Sequence, residues 1–446
     1  MLNILPLFLL LPLFFYKLSQ SSLISWDEAW YAEISRNILK TGDFFNLVWN
    51  GTPFSDKPPG GFWLEALSFK FLGISEFSAR FPSALAGFLC LIVVYLLGAK
   101  LFSKLTGYLS VIGLISAYWF LYRSRFGDLD TLLTLFYLLS VYLAILVTEN
   151  KKYLYLLCIS LAFLPMIKGV VFVFSIIPTL VVIFWGNKIL KIKDYLIILF
   201  SNFGLFGIWF LFQYLKSPAL ALYHFQHSFR DSSIKSSILN NFLIFKEYLH
   251  NGIGKWFWPG VLGAILSVVT KDKRIFPILL FPVIYSVQFL FSANLEIWHL
   301  IPLYPFMILL FFGSMYLIGA RIIRLRFFLN ILIVIFTFYV AYIQIVRMWN
   351  EFINIPAFIT DDAILSKEAG KYEIPFYIDS SFEPVAVFYS EKNVKWVNSF
   401  GLPKLFSEKS PFVLIVKQSM LDNLKIDKKD YKIIKTDRDK LLIKYL

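Results

Sequence analysis

The chain has 446 residues, 58% of them hydrophobic, 19% aromatic and only 16% charged, with a mean hydropathy of +0.68. Soluble globular chains carry roughly 25% charged residues, so this composition excludes a soluble enzyme or soluble binding module for most of the length. The formal net charge of +14 does not make it a nucleic-acid binder, because Lys and Arg collect in short alternate loops and form no single basic face.

Apolar runs long enough to cross about 30 Å of hydrocarbon lie near 2–18, 77–99, 107–122, 129–148, 153–167, 169–186, 195–215, 256–270, 275–292, 300–319 and 328–348. They predict an α-helical polytopic membrane protein with about eleven spans, in a range of about nine to thirteen. The first run has no basic residue before it and no small-residue cleavage site after it, so it reads as a span and not a leader. Cys90 and Cys158 both fall inside apolar runs and predict no disulfide framework.

The basic loops are Lys100/Lys104, Lys151/Lys152, Lys188/Lys191/Lys193, Lys271/Lys273/Arg274 and Arg321/Arg324/Arg326. Positive residues stay on the cytoplasmic side. The expected topology therefore has a cytoplasmic amino terminus in the cytoplasmic (inner) membrane. Loops 19–76, 123–130 and 216–255 and the carboxy-terminal tail then lie outside.

Loop 19–76 is the longest in the first part of the chain. Segments 29–40 and 62–72 read as amphipathic helices, with Trp30, Ile34 and Ile38 on one stripe, lying in the interface plane. Between them "NGTPFSDKPPGG" signals a hairpin or turn-rich loop. The second outer loop, 216–255, carries His224, His227, Arg230 and His250. From about 350 the composition changes to charged, alternating sequence. "PFYIDS", "VKWVNS", "PFVLIVK", "YKIIKT" and "LLIKYL" predict short strands, with helical pieces such as "MLDNLK" between some of them. The expected division is a transmembrane domain over 1–349 and a small extracytoplasmic α/β domain over 350–446.

"SWDEAWYAEISRNI" places Asp27 and Glu28 just past the first span. Ser25 and Glu28 fit a capping box, which accounts for Glu28 better than for Asp27. Asp56 and Lys57 precede two prolines that stiffen the loop holding the lysine. His227 and Arg230 stand three apart, on one face if helical. Arg125, Asp128 and Asp130 lie where a span meets the outer surface, Lys168 lies at an outer helix end, and His299 in the same layer. Singly, each fits a snorkelling anchor or an interface residue. Together they put acids, bases and cations in one layer while the span centres hold almost none. That argues against an ion-coupled transporter, whose midplane carries ionisable groups. It favours chemistry on a lipid-borne anionic substrate, with Lys57 and Arg230 on a phosphate and a carboxylate taking a proton from a hydroxyl.

"DEAWYAEISRNILKTGDF", "NGTPFSDKPPGGFWLEAL", "LGISEFSARFPSALAGF", "RSRFGDLDTLLTLF", "LAFLPMIKGV" and "HLIPLYP" together resemble the polyprenyl-phosphate-sugar-dependent glycosyltransferases of the GT-C class. The likeness is to the lipid A aminoarabinose transferase and protein mannosyltransferase-like families and covers most of residues 25–310. It implies a multi-span domain with an extracytoplasmic carboxy-terminal domain, a polyprenyl-phosphate sugar donor and a lipid or protein acceptor. It also implies inverting transfer at the outer face of the membrane.

By the same resemblance Asp27 is the base or acceptor-orienting acid, Glu28 its neighbour and Tyr31 the motif tyrosine. Lys57 and Arg230 are phosphate ligands, and Asp56 and His227 fall where the aminoarabinose enzymes hold a divalent metal. Arg125, Asp130, Lys168 and His299 complete the expected substrate-binding set. This chain has Asp56 where those enzymes tend to have Glu, and Trp30 at a position often basic in them. A transporter or flippase of lipid-linked saccharides, or a lipid-binding member without catalysis, remains the alternative.

Overall fold

The computed structural model of the chain describes residues 2–24, 26–169, 177, 180–181, 190–223, 238–290, 295–322, 326–379, 383–424, 426 and 429–445. It divides into two compact units. One comprises Met1–Lys17, Ser55–Gly61 and Phe81–Ile355; the other comprises Leu18–Phe54, Phe62–Arg80 and Pro356–Leu446.

The helices run in chain order as α1 (Leu11–Phe15), α2 (Trp26–Thr41), α3 (Gly60–Leu72), α4 (Glu76–Leu101), α5 (Lys104–Ile115), α6 (Tyr118–Ser124), α7 (Asp130–Glu149) and α8 (Leu154–Lys168). They continue as α9 (Ile192–Lys216), α10 (Ile238–Ile253), α11 (Phe257–Thr270), α12 (Phe276–Leu290), α13 (Tyr304–Arg321) and α14 (Arg326–Met348). Among the described residues 7 helices are long and apolar enough to cross a membrane, or 8 if α5 and α6, bent by 73°, make one span. The chain is thus a multi-pass membrane protein.

The expected eleven exceed this number for identifiable reasons. The run near 2–18 is a 3-10 segment, Leu2–Leu10, leading into the short α1. The run near 153–167 forms α8, only 15 residues long. Most of 169–186 lies outside the described residues. The other runs coincide with helices.

Burial sorts these helices. The apolar stretch ending in α13 is 83% buried and apolar all round, as a helix in the middle of a bundle must be. α9 and α14, at 22% and 28%, leave most of their apolar side chains uncovered by the rest of the chain. The basic loops are tied to one another: Lys100 pairs with Glu149 at 2.5 Å, Lys151 with Asp194 at 2.7 Å, and Arg321 donates to the Thr270 carbonyl at 2.5 Å. Loops that the charge pattern assigns to one side of the membrane thus meet at one end of the bundle.

The second unit combines the first long loop with the tail. After α2, strands β1 (Leu47–Trp49) and β2 (Thr52–Phe54) pair antiparallel, with Trp49 opposite Thr52. Asn50 and Gly51, both at positive φ (50° and 75°), supply the two-residue turn that matches strand twist.

The tail adds β3 (Phe376–Ile378), β4 (Val394–Trp396), β5 (Phe412–Lys417), β6 (Tyr431–Asp437) and β7 (Lys440–Tyr445), with α15 (Asp361–Ala369), α16 (Glu383–Ser390), α17 (Leu402–Ser407) and α18 (Gln418–Asn423). All five strands predicted from alternation are present, in the order β4-β3-β5-β7-β6. β3 runs parallel to β4 and β5, while β7 is antiparallel to β5 and β6. Central β5 is continuously apolar because both faces are covered: Val413 and Ile415 enter one core, and Phe412, Leu414 and Val416 the other. β6 lies at the edge and carries Lys432 and Lys435, which discourage further strand pairing.

The loop and the tail share an apolar cluster that includes Leu23, Ala29, Phe69, Val385 and Phe388. Arg36, buried, donates to the Phe388 carbonyl at 2.9 Å and lies 4.8 Å over its ring. Asn50 bonds both the Val394 amide and the Val394 carbonyl at 2.8 Å, extending the β4 edge.

The clustered basic loops predict a definite topology. A reporter inserted within 271–274 should read as cytoplasmic, and one fused after Leu446 as extracytoplasmic. A cytoplasmic carboxy terminus would require a different parity of spans and would contradict this orientation.

Candidate active site

In the second unit the site is built on the first turn of α2. Asp27 and Glu28 both sit there, where the helix dipole favours negative charge, but their surroundings differ completely. Glu28 is fully buried. Arg80 holds it side-on, Nε to Oε1 at 2.5 Å and Nη2 to Oε2 at 2.9 Å. The same guanidinium donates to the carbonyls of Leu18 at 2.9 Å, Ser21 at 2.8 Å and Ser22 at 3.0 Å. All five of its N–H groups are therefore used. Glu28 also accepts from the Ile24 amide at 3.2 Å. This is a reach back to the chain before the helix; Ser25, the cap of the expected capping box, lies outside the described residues.

Asp27, one residue earlier, is half-buried and accepts from the Tyr31 hydroxyl at 3.0 Å, one turn on. Tyr31 is only 2% exposed, with its ring edge against Phe62. The structure thus places Glu28 in a buried pair with Arg80, while Tyr31 donates to a half-buried Asp27. Trp30, Trp49 and Phe54 pack edge to face in the same unit.

Glu65 and Arg80 were missed by sequence reasoning. Glu65 is buried on α3, its Oε2 accepting from Ser35 Oγ at 2.9 Å, while Oε1 has no partner among the described residues. Burial drives its carboxyl well above the usual range, and the nearby Glu28 charge adds to that, against the Ser35 hydrogen bond. The available signals were a lone Glu in the apolar run "GFWLEALSF" and a lone Arg at the mouth of an apolar span.

In the first unit, Lys57 and Asp56 are half-buried on the loop before α3. The two residues after Pro59 explain why the motif ends in Gly-Gly. A Cβ on Gly60 would lie 2.7 Å from the Met166 carbonyl, and one on Gly61 2.3 Å from a Leu129 methyl. The lysine loop is thereby seated against the carboxy-terminal end of α8 and the turn before α7, beside the residues that carry Lys168 and Asp130.

Those two residues pair with each other, and Arg123 pairs with Asp128 and stands 3.6 Å from Asp130. Arg123 also lies 4.9 Å over the Trp298 ring, next to His299. The His299 carbonyl accepts from Tyr285 Oη at 3.0 Å. Asp130 and Lys168 thus form an ion pair. Arg125 donates to the carbonyls of Leu13 at 2.8 Å, Phe14 at 3.1 Å and Tyr16 at 2.8 Å, at the end of α1. His227 and Arg230, with His224, lie outside the described residues. Among the described residues no group of three or more His, Cys, Asp or Glu side chains is placed to hold a metal.

This helical bundle with its mixed α/β unit is a known arrangement. It superposes on ArnT from Cupriavidus metallidurans, both apo and bound to undecaprenyl phosphate, with a TM-score of 0.74 over 99% of this chain and 97% of that one, at 15% and 16% identity. An Archaeoglobus fulgidus oligosaccharyltransferase, solved with Zn and sulfate, matches at a TM-score of 0.62 and 14% identity over 93% of this chain and 68% of that one. The fold is that of the GT-C class.

In sequence, the family profile described as dolichyl-phosphate-mannose-protein mannosyltransferase matches residues 56–209. The undecaprenyl phosphate-alpha-4-amino-4-deoxy-L-arabinose arabinosyl transferase of Aeromonas salmonicida is 40% identical over 92 residues, 20% of this chain and 17% of that protein. An uncharacterized protein of Aquifex aeolicus is 34% identical over 213 residues, 46% of this chain and 42% of its own length. The chain spans less than half the length of these curated relatives. The resemblance read in its motifs stands: the chain is similar to the polyprenyl-phosphate-sugar glycosyltransferases of the aminoarabinose transferase and protein mannosyltransferase type.

Glu65 makes a pH prediction. Its folded-state affinity for a proton exceeds that of the unfolded chain, whose carboxyl titrates near ~4.3. Below that pH both states are protonated and the group costs nothing. As pH rises the unfolded chain ionises first, so stability falls until the folded pKa is passed. Thermal melts of Glu65→Gln should show a variant more stable than wild type at neutral pH, the gap closing toward pH ~4. A gap independent of pH would mean that Glu65 is ionised in the fold.

Proposed function

We propose that the chain is an integral membrane glycosyltransferase. It would move a sugar from a polyprenyl-phosphate carrier to a lipid or protein acceptor at the outer face of the cytoplasmic membrane. The observation that carries this reading is the contrast on α2. One carboxylate is buried and neutralised by Arg80, while its neighbour Asp27 is held half-exposed by the Tyr31 hydroxyl. The fold shared with ArnT supports the assignment.

In the proposed reaction an acceptor oxygen attacks C1 of the sugar from the face opposite the phosphate, so the configuration inverts. The C1–O bond to phosphate breaks and its electron pair leaves with the phosphate. For a hydroxyl acceptor, Asp27 takes the proton; for a phosphate acceptor, no base is required and Asp27 orients. The leaving group is already a stable anion, so the rate depends on positioning and on cations facing it. Lys57 and Arg230 are assigned that role. Tyr31 contributes by fixing the carboxylate's rotamer through its 3.0 Å hydrogen bond. A divalent ion remains part of the proposal only at Asp56 and His227, which would hold it and add positive charge. Two ligands leave half of a tetrahedral shell to other donors.

Removing a positioned base costs roughly 10²–10⁴-fold in rate. Asp27→Asn should therefore lower transfer to a hydroxyl acceptor by that order while undecaprenyl phosphate binding stays near wild type. Lys57→Ala should weaken that binding instead. Turnover together with binding, measured for both variants, separates the roles. Wild-type transfer by Asp27→Asn to a hydroxyl acceptor would remove the catalytic reading.

A further inference from the structure

α11, α13 and α14 of the first unit line an open groove of about 830 Å³ that no step of the proposed transfer uses. Trp258, Leu262, Phe311, Leu332 and Phe336 are among the residues lining it. Several face outward: Trp258 is 63% exposed, and Leu332 equally so. A volume in the ligand-pocket range of roughly 300–1,000 Å³ on the lipid side of a bundle calls for a hydrocarbon occupant.

The groove has a polar end. Lys255, two residues before α11, is the only ionisable residue of its lining among the described residues. Its backbone is fixed while its side chain is left exposed. The Lys255 amide donates to Gln344 Oε1 at 2.9 Å, and Gln344 Nε2 donates to the Ser116 carbonyl at 2.7 Å. The next residue, Trp256, is fully buried and donates from Nε1 to Ser116 Oγ at 2.8 Å. Ser116 itself stands at the break between α5 and α6. Gln344 on α14 and Ser116 at that break thus hold residues 255 and 256 in place, and the Lys255 ammonium has no carboxylate partner among the described residues.

Length decides which lipid fits. From Val340 to Leu332 along α14 is about 12 Å at 1.5 Å per residue, close to the ~15 Å of one leaflet's hydrocarbon. A polyprenyl chain of a carrier would overrun such a groove, whereas an acyl chain of one leaflet would fill it. The charge pattern puts the Lys255 end at the outer surface.

We propose that this groove is a binding site for an anionic diacyl phospholipid of the outer leaflet, one acyl chain lying along α11 and α14 and its phosphate on Lys255. The proposal does not depend on the transferase reading. One basic group near a membrane surface is worth about fivefold in anionic-lipid affinity.

Native mass spectrometry of the full chain in detergent tests it, with phosphatidylglycerol and phosphatidylcholine of identical chains as probes. Wild type should retain one phosphatidylglycerol about fivefold more readily than phosphatidylcholine. Lys255→Ala should abolish that preference while leaving phosphatidylcholine retention unchanged, and Lys255→Glu should invert it. Leu262→Trp, which fills the groove, should lose the retained lipid of either type. An unaltered preference in both Lys255 variants would overturn the proposal. Displacement of the retained phosphatidylglycerol by equimolar undecaprenyl phosphate would also overturn it, assigning the groove to the carrier.

Discussion

The Arg80 guanidinium is the constraint on which the candidate site rests. A cation at the mouth of an apolar helix is costly unless every donor is satisfied. Here five N–H groups meet five acceptors: both oxygens of Glu28 and the carbonyls of Leu18, Ser21 and Ser22. The consequence is geometric. The chain after the first apolar run, the start of α2 and the first turn of α4 are fixed to one planar group. A lysine, with three donors and no fork, does not substitute for it. Asp27 inherits its position from that junction, because its neighbour cannot move.

Electroneutrality governs the first unit in the same way. Arg123, Asp128, Asp130 and Lys168 form two cations and two anions in mutual contact, which is how ionisable groups survive next to lipid. The pairing also fixes the ends of α6, α7 and α8, against which the Lys57 loop packs through Gly60 and Gly61. Two prolines and two glycines therefore serve one lysine: the prolines stiffen the chain, and the glycines allow the close approach.

Much of the fold was legible because it depends on local periodicity. Alternation exposed all five strands of the tail, Asn-Gly the hairpin, and apolar run length most of the long helices of the first unit. α10 (Ile238–Ile253), however, lies in what reads from sequence as an outer loop. What escaped depends on partners far along the chain. Nothing near Glu28 announces that Arg80, fifty-two residues on, will bury it. Arg125 and Arg123 are indistinguishable in "RSRFGD", yet one caps the carbonyls of α1 and the other joins the charge network. Lys168 and Asp130 stand thirty-eight residues apart, and only the fold shows that they pair. The sequence separates the first loop from the tail, but the apolar cluster linking Leu23 and Phe69 to Val385 and Phe388 makes them one unit.

The central claim is that Glu28 acts on transfer only through the position it gives Asp27. The direct measurement is a double-mutant cycle on the transfer rate to a hydroxyl acceptor, using Asp27→Asn, Glu28→Gln and the double variant, with donor affinity measured alongside. Glu28→Gln should slow transfer at unchanged donor affinity, and the double variant should be no slower than Asp27→Asn alone. Wild-type transfer by Glu28→Gln, or a double variant losing the product of the two single effects, would contradict that claim.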